Sequence, residues 1–146
     1  MQPRRRARGL ALQALYEIDC VGHPADRVLA ERLEETPLPA AVSEFASELV
    51  HQVLAHRAGM DRLIAEYAPE WPVDQLAIVD RNVLRIAIYE LAMDSSTPVK
   101  VAINEAVELA KSYGSDNSAR FVNGVLGSLV ERLDTLRAAV LRTADS

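Results

Sequence analysis

The fold class predicted by this sequence is all-α, and three observations predict it. Apolar residues recur every three or four positions through several long segments. β-Branched residues are scattered. No long segment alternates apolar and polar residues with period 2. The chain has 146 residues, the size of one domain with a sizeable core. It is 49% hydrophobic and 25% charged, as soluble globular proteins are.

The elements follow in chain order. Successive helical residues turn by about 100°, which puts Ala7, Leu10, Ala11, Ala14, Leu15 and Ile18 on one stripe of a first helix over about 4–20. Gly22, His23 and Pro24 end it. A short helix over about 25–35 runs up to the break at Pro37 and Pro39. A long segment from Ser43 to about Tyr67 has Phe45, Leu49, Val53 and Leu54 on its apolar side, with Gly59 as a candidate bend. "APEWP", residues 68–72, then stops the chain, since two prolines in four residues break a helix and restrict the residues before them. It divides an N-terminal half (about 1–70) from a C-terminal half (about 71–136) of one domain.

From about Val73 to Met93 the apolar arc is wider than half the wheel, which marks the central helix. Glu90 lies inside that arc, and a buried carboxylate calls for an internal cation. Thr97 is a candidate N-cap with Pro98 at the first helical position. Val99, Ala102, Ile103, Ala106, Val107 and Ala110 form the core side of the next helix, which Gly114 ends. Asp116, Asn117 or Ser118 can cap a last helix with Val122, Val125, Leu126, Leu129 and Leu133 inward. The tail, 137–146, is expected to fray.

Charge is distributed unevenly. The chain carries 16 basic and 21 acidic residues, net −5, yet Arg4, Arg5, Arg6 and Arg8 sit within five positions. Without those four, the other twelve Lys and Arg face all 21 acids, net −9. Basic N-terminal arms engage nucleic acid or are simply solvated charge. One cysteine, Cys20, cannot close an internal disulfide, and no run approaches the ~18 apolar residues of a membrane span. A cytoplasmic location is the expectation.

Little here points to catalysis. His51 and His56 are five apart, which does not align two ligands on one helical face. Cys20 has no CxxC partner, and no phosphate-binding glycine motif occurs. Glu34 and Glu35 read as a solvated face. No catalytic residue, metal ligand or cofactor is assigned. Binding signals are stronger. Arg5, Gly9, Leu12, Gln13 and Tyr16 lie opposite the core stripe of the first helix, facing either an external contact or a second internal neighbour. Lys100, Asn104, Glu108 and Lys111 make a polar row. Arg120, Gly124 and Gly127 lie off the core stripe of the last helix, and each mid-helix glycine costs about 1 kcal/mol against alanine. Close backbone approach, by a partner or by another helix, would account for them. Phe121 is placed to stack on a base or to pack.

Three stretches carry a resemblance: "RRRARGLALQALY" (4–16), "DRNVLRIAIYEL" (80–91) and "PVKVAINEAVELAKSYGSDNSARFVNGVL" (98–126). Together they resemble the NusB family of bacterial transcription antitermination factors, most specifically in "VAINEAVELAK" and "FVNGVL". Residues about 20–70 are similar only in helical pattern. The family also lends its fold to the front of some RNA cytosine methyltransferases. No catalytic domain lies within these residues, so the binding branch is expected.

The resemblance implies two small antiparallel helical bundles packed into one compact domain, with a binding function and no cofactor. It implies binding of single-stranded, boxA-like RNA of nascent ribosomal transcripts. The partner is the small-subunit ribosomal protein that doubles as an antitermination factor, and the complex helps RNA polymerase pass terminators. Arg4, Arg5, Arg6 and Arg8 match the family's RNA-binding motif, joined by Lys100 and by Asn117, Arg120 and Phe121 near the RNA path. Tyr16 and Asp80 match positions near the ribosomal-protein contact. Gly127 stands where members often carry an acid, and Asn117 where some carry aspartate. Some members form homodimers that cover the RNA face, and a protein-only adaptor is the alternative reading. Four neutralised phosphates would give a log–log salt slope of roughly −3.

Overall fold

A computed structural model describes residues 3–142. The helices are α1 (Pro3–Val21), α2 (Ala25–Glu35), α3 (Ala40–Ala55), α4 (Arg57–Tyr67), α5 (Ile78–Ala92), α6 (Val99–Tyr113), α7 (Ser118–Leu129) and α8 (Leu133–Leu141). Single 3₁₀ turns cover Val73–Gln75 and Val130–Arg132. No strand occurs among the described residues, so the all-α expectation holds.

Helix α1 ends where Gly22 takes a positive φ of 74°, a conformation that costs glycine little. Of the two readings of its outer side, the second internal neighbour is the one found for Leu12 and Gly9. Leu12 and Gly9, placed on the outer side by the helical wheel, are buried along with Ala7, Leu10, Ala11, Ala14 and Leu15. The reason is that α1 packs against α2, α3 and α5 and also touches α6. It is a helix with neighbours on both flanks, and its N-terminal turn, the side around Tyr16 and its C-terminal end at Cys20 and Val21 reach solvent.

The expected 43–67 helix is two helices. It starts earlier, at Ala40 after Pro39, and breaks at His56 (φ −115°, ψ 19°) rather than at Gly59. Gly59 is a close-packing residue, where a Cβ would collide with the backbone of Val140 on α8. The half boundary also moves in space. α4 precedes APEWP, yet it packs against α8, α5 and α7 as well as α3.

The central helix starts at Ile78, later than periodicity suggests. Arg81 accounts for the delay. Its Nη1 donates to the carbonyls of Asp74 (3.0 Å), Val73 (3.4 Å) and Leu76 (3.4 Å), which keeps this stretch in a single 3₁₀ turn instead of an α-helical ladder. Arg81 is itself fixed on Asp19 of α1 by bonds of 2.8 and 2.9 Å. Asn82 and Arg85 also donate to Asp19, and Arg85 forks onto Asp61 of α4 at 2.8 and 2.9 Å. This network ties α1, α4 and α5 together. Burial alone would raise the Asp19 pKa. Hydrogen bonds from Arg81 and Asn82, with the charges of Arg85 and Arg81, outweigh it and bring the group from 3.8 down to about 2.

α5 is buried on nearly every side over 82–90 and packs against α1, α3, α4, α6, α7 and α8. The N-cap of α6 is Pro98, with Val99 its first residue. Thr97, expected to cap it, instead donates its hydroxyl to Asp94 at 3.1 Å. Asn117 is the N-cap of α7 but makes no side-chain capping bond. The nearby Ser118 hydroxyl instead accepts the Ser115 N–H at 2.9 Å. The chain does not fray from 137. Helix α8 continues to Leu141 with Leu136 and Val140 buried, and residues 143–146 lie outside the described residues.

Candidate functional site

The four arginines of the opening cluster separate into distinct environments. Arg4 and Arg5 are on the exposed first turn of α1. Arg4 lies 4.3 Å over the Phe45 ring and donates to Thr97 at 3.5 Å, so it leans toward the α5–α6 connection. Lys100, exposed and without an ion pair to any described residue, is three residues further on. Arg5 forks onto Glu105 of α6, with Nη2 at 2.7 Å and Nε at 3.1 Å, while its side chain stays 45% exposed. Arg6 is exposed and makes no hydrogen bond or ion pair with any described residue.

Arg8 is the correction. Expected among the outward arginines, its side chain is only 4% exposed. Nε and Nη2 each donate to Glu90 at 2.7 Å, and Nη1 lies 3.4 Å from Glu105. The cause is register: Arg8, Leu12 and Leu15 stand at i, i+4 and i+7 on the second buried flank of α1. Glu90 thus has the internal cation its position demanded. Arg5 is also the main reason that Glu105 sits below the usual carboxylate range. Its hydrogen bond outweighs burial, and the charges of Arg5 and Arg8 add to it.

A cavity of ≈ 350 Å³ opens beside this head, lined by Arg5, Arg6, Gln13, Arg32, Glu108 and Tyr113, among others. Tyr113 lies across Gly9, where a Cβ would stand 2.9 Å from the phenol oxygen. A bulkier residue at position 9 would therefore displace the ring.

Tyr113 also borders a second, smaller groove of ≈ 250 Å³, which brings together Tyr16 and Asp80 with Val79, Ser115 and Ser118. The two residues matched to partner binding are thus neighbours in space, although 64 positions apart in the chain. Tyr16 is 43% exposed. Oδ1 of Asp80 is buried and has no hydrogen-bond partner among the described residues. An acceptor left in that state is costly, and an incoming donor would relieve it.

The third region lies along α7. Asn117 and Arg120 are exposed, and Arg120 makes no ion pair with a described residue. Phe121 is half-buried, packs against the core and lines a cleft with Arg120, Trp71 and Gly124. It therefore both packs and reaches a surface. No close backbone approach occupies Gly124 or Gly127, since a Cβ at either meets nothing within 4 Å.

Sequence reasoning missed Tyr113 and Trp71. Tyr113 directly follows the core stripe of α6, where Gly114 is the stronger local signal. Trp71 carries no sequence signal of its own beyond the APEWP stop. No described cluster of His, Cys, Asp and Glu could hold a metal ion, and no described helix is long and apolar enough to cross a membrane.

Known proteins give this geometry a context. A model of the NusB family matches residues 5–144. The chain is 53% identical over 131 residues to "Transcription antitermination protein NusB" of Roseiflexus castenholzii, covering 88% of this chain and 92% of the relative. Among solved structures, T. maritima NusB superposes with a TM-score of 0.83 at 36% identity, covering 90% of this chain and 93% of that one. A structure of the antitermination factors NusB and NusE in complex with dsRNA matches with a TM-score of 0.81 at 30% identity, covering 90% of this chain and 98% of the matched chain.

Proposed function

We propose, from the premise that this chain belongs to the NusB family, that it is an RNA-binding transcription antitermination factor. It binds boxA-like RNA of nascent ribosomal transcripts together with a small-subunit ribosomal protein, and the assembly helps RNA polymerase read through terminators. The work is binding, carried out in the cytoplasm. The observation that carries the reading is the exposed cationic first turn of α1 on a chain that is otherwise strongly acidic, in a fold whose relative has been solved with NusE and RNA.

The proposal gives each residue a role. Arg6 meets phosphate without first breaking a hydrogen bond or ion pair to a described residue. Arg4 slides from Phe45, and Lys100 lies alongside. Arg5 exchanges the Glu105 carboxylate for a phosphate, leaving Glu105 to Arg8. Arg8 itself positions α1 from inside and contributes no surface charge. Asn117, Arg120 and Phe121 extend the RNA path along α7. With three outward arginines in place of four, the cluster contributes a salt slope of roughly −2 and about a 20-fold loss between about 50 and 200 mM salt. Acidity over the remaining surface disfavours non-specific nucleic acid.

Tyr16 and Asp80 form the ribosomal-protein groove, where the unpaired Asp80 oxygen receives a donor. The test is a titration of labelled boxA-like RNA with and without that protein. RNA binding that strengthens with the partner and weakens with salt supports the reading. Absence of RNA binding even with the partner present supports the adaptor. Tyr16→Ala should weaken partner binding and leave helix content intact.

A further inference from the structure

Trp71 is the only tryptophan of the sequence and is 60% exposed. It follows Pro69 in the turn between α4 and α5 and lines one cleft of ≈ 350 Å³ with Phe121, Arg120, Gly124, Glu70 and Tyr67. A large aromatic ring left this open contributes little to the core. The cleft also holds an exposed guanidinium that makes no ion pair with a described residue and a mid-helix glycine for which the fold gives no steric reason. A glycine there costs the helix about 1 kcal/mol, a cost that close approach of another chain to the α7 backbone would explain. Flat aromatic faces beside an exposed cation and a bare stretch of backbone suit an unpaired nucleotide, since single strands are held by stacking on aromatics with cations along the phosphates.

We propose that Trp71 and Phe121 form a stacking site for one unpaired base of the bound RNA, with Arg120 on the neighbouring phosphate and the strand lying against α7 at Gly124. The site rests on the RNA-binding reading above and extends its path. Leu76 of this cleft adjoins Ala77 of the Tyr16–Asp80 groove, so RNA here and a protein there would lie side by side.

The experiment reads RNA binding by anisotropy of a labelled boxA-like oligonucleotide, with the ribosomal partner present, and by Trp71 fluorescence. Both signals should saturate together as Trp71 is quenched. Trp71→Ala should weaken binding on the order of 10-fold, leave the salt slope unchanged and barely move Tm. Trp71→Phe should restore affinity to within about 3-fold. Arg120→Gln should reduce the slope by about 0.7. Anisotropy that saturates while Trp71 fluorescence stays flat, with Trp71→Ala binding like the native chain, overturns this site and leaves the antitermination reading standing. A Trp71 signal that follows the ribosomal protein alone, with RNA affinity unaffected by Trp71→Ala, makes the cleft a protein contact and also overturns it. If RNA does not bind at all, both readings fall.

Discussion

Arg8→Ala separates the structural arginine from the RNA-facing ones. The native guanidinium makes two bonds of 2.7 Å to Glu90 and lies 3.4 Å from a Glu105 oxygen. It also lies 5.4 Å from the centre of the Phe45 ring. Glu90 is 2% exposed, so water cannot replace the lost donors. Removing one partner of a buried pair costs about 3–5 kcal/mol, because the other charge is stranded. At this chain length each kcal/mol moves Tm by about 2–4 °C, so the midpoint should fall on the order of 10 °C. Replacing both residues, Arg8→Met with Glu90→Leu, should recover most of that loss, since apolar substitutes for a buried pair are often neutral. Thermal and urea unfolding followed by circular dichroism read the effect, with Arg6→Ala as the surface control, expected within about 0.5 kcal/mol of native. An Arg8→Ala protein melting within about 2 °C of native would refute the buried-pair account.

Two further outcomes follow from the same contacts. Asp19 has its folded pKa depressed to about 2 from 3.8. The stability it contributes is therefore fully present above about pH 4 and is lost as pH falls toward 2; Asp19→Asn should flatten that part of the acid-unfolding curve, and an unchanged curve would contradict the network's role. Gly127→Ala fills open space on a helix and should stabilise by up to about 1 kcal/mol, raising Tm by a few degrees. A fall in Tm would show a constraint that the monomer does not contain.

Much of the fold was legible because helical periodicity is a strong signal, and the apolar arc of α5 announced its central place. What periodicity could not supply was the number of neighbours a helix has. α1 shows one dominant stripe, yet it is covered on two flanks, so periodicity leaves Leu12 open between a partner and a second internal neighbour, and it does not separate Arg8 from the outward arginines beside it. A clue was present in the buried Glu90, which demanded a cation, and in the spacing of Arg8 with Leu12 and Leu15. The late start of α5 depends on Arg81 gripping carbonyls from a base on Asp19, 62 residues away in sequence, and no local pattern encodes that. The break at His56 likewise carries neither glycine nor proline. The candidate site was legible in its residue types and, through the resemblance, in their roles. Its spatial grouping was not, because Tyr113 and Trp71 gain meaning only from the grooves they border.

The most direct measurement is the salt dependence of boxA-like RNA affinity, with the ribosomal protein present, for the native chain and for Arg4→Gln with Arg6→Gln. Two phosphate contacts are removed, so the log–log slope should become shallower by about 1.4, while Tm stays near native because neither side chain is buried. An unchanged slope, or a variant that binds RNA as the native chain does, would contradict the claim that the exposed turn of α1 is what holds the transcript.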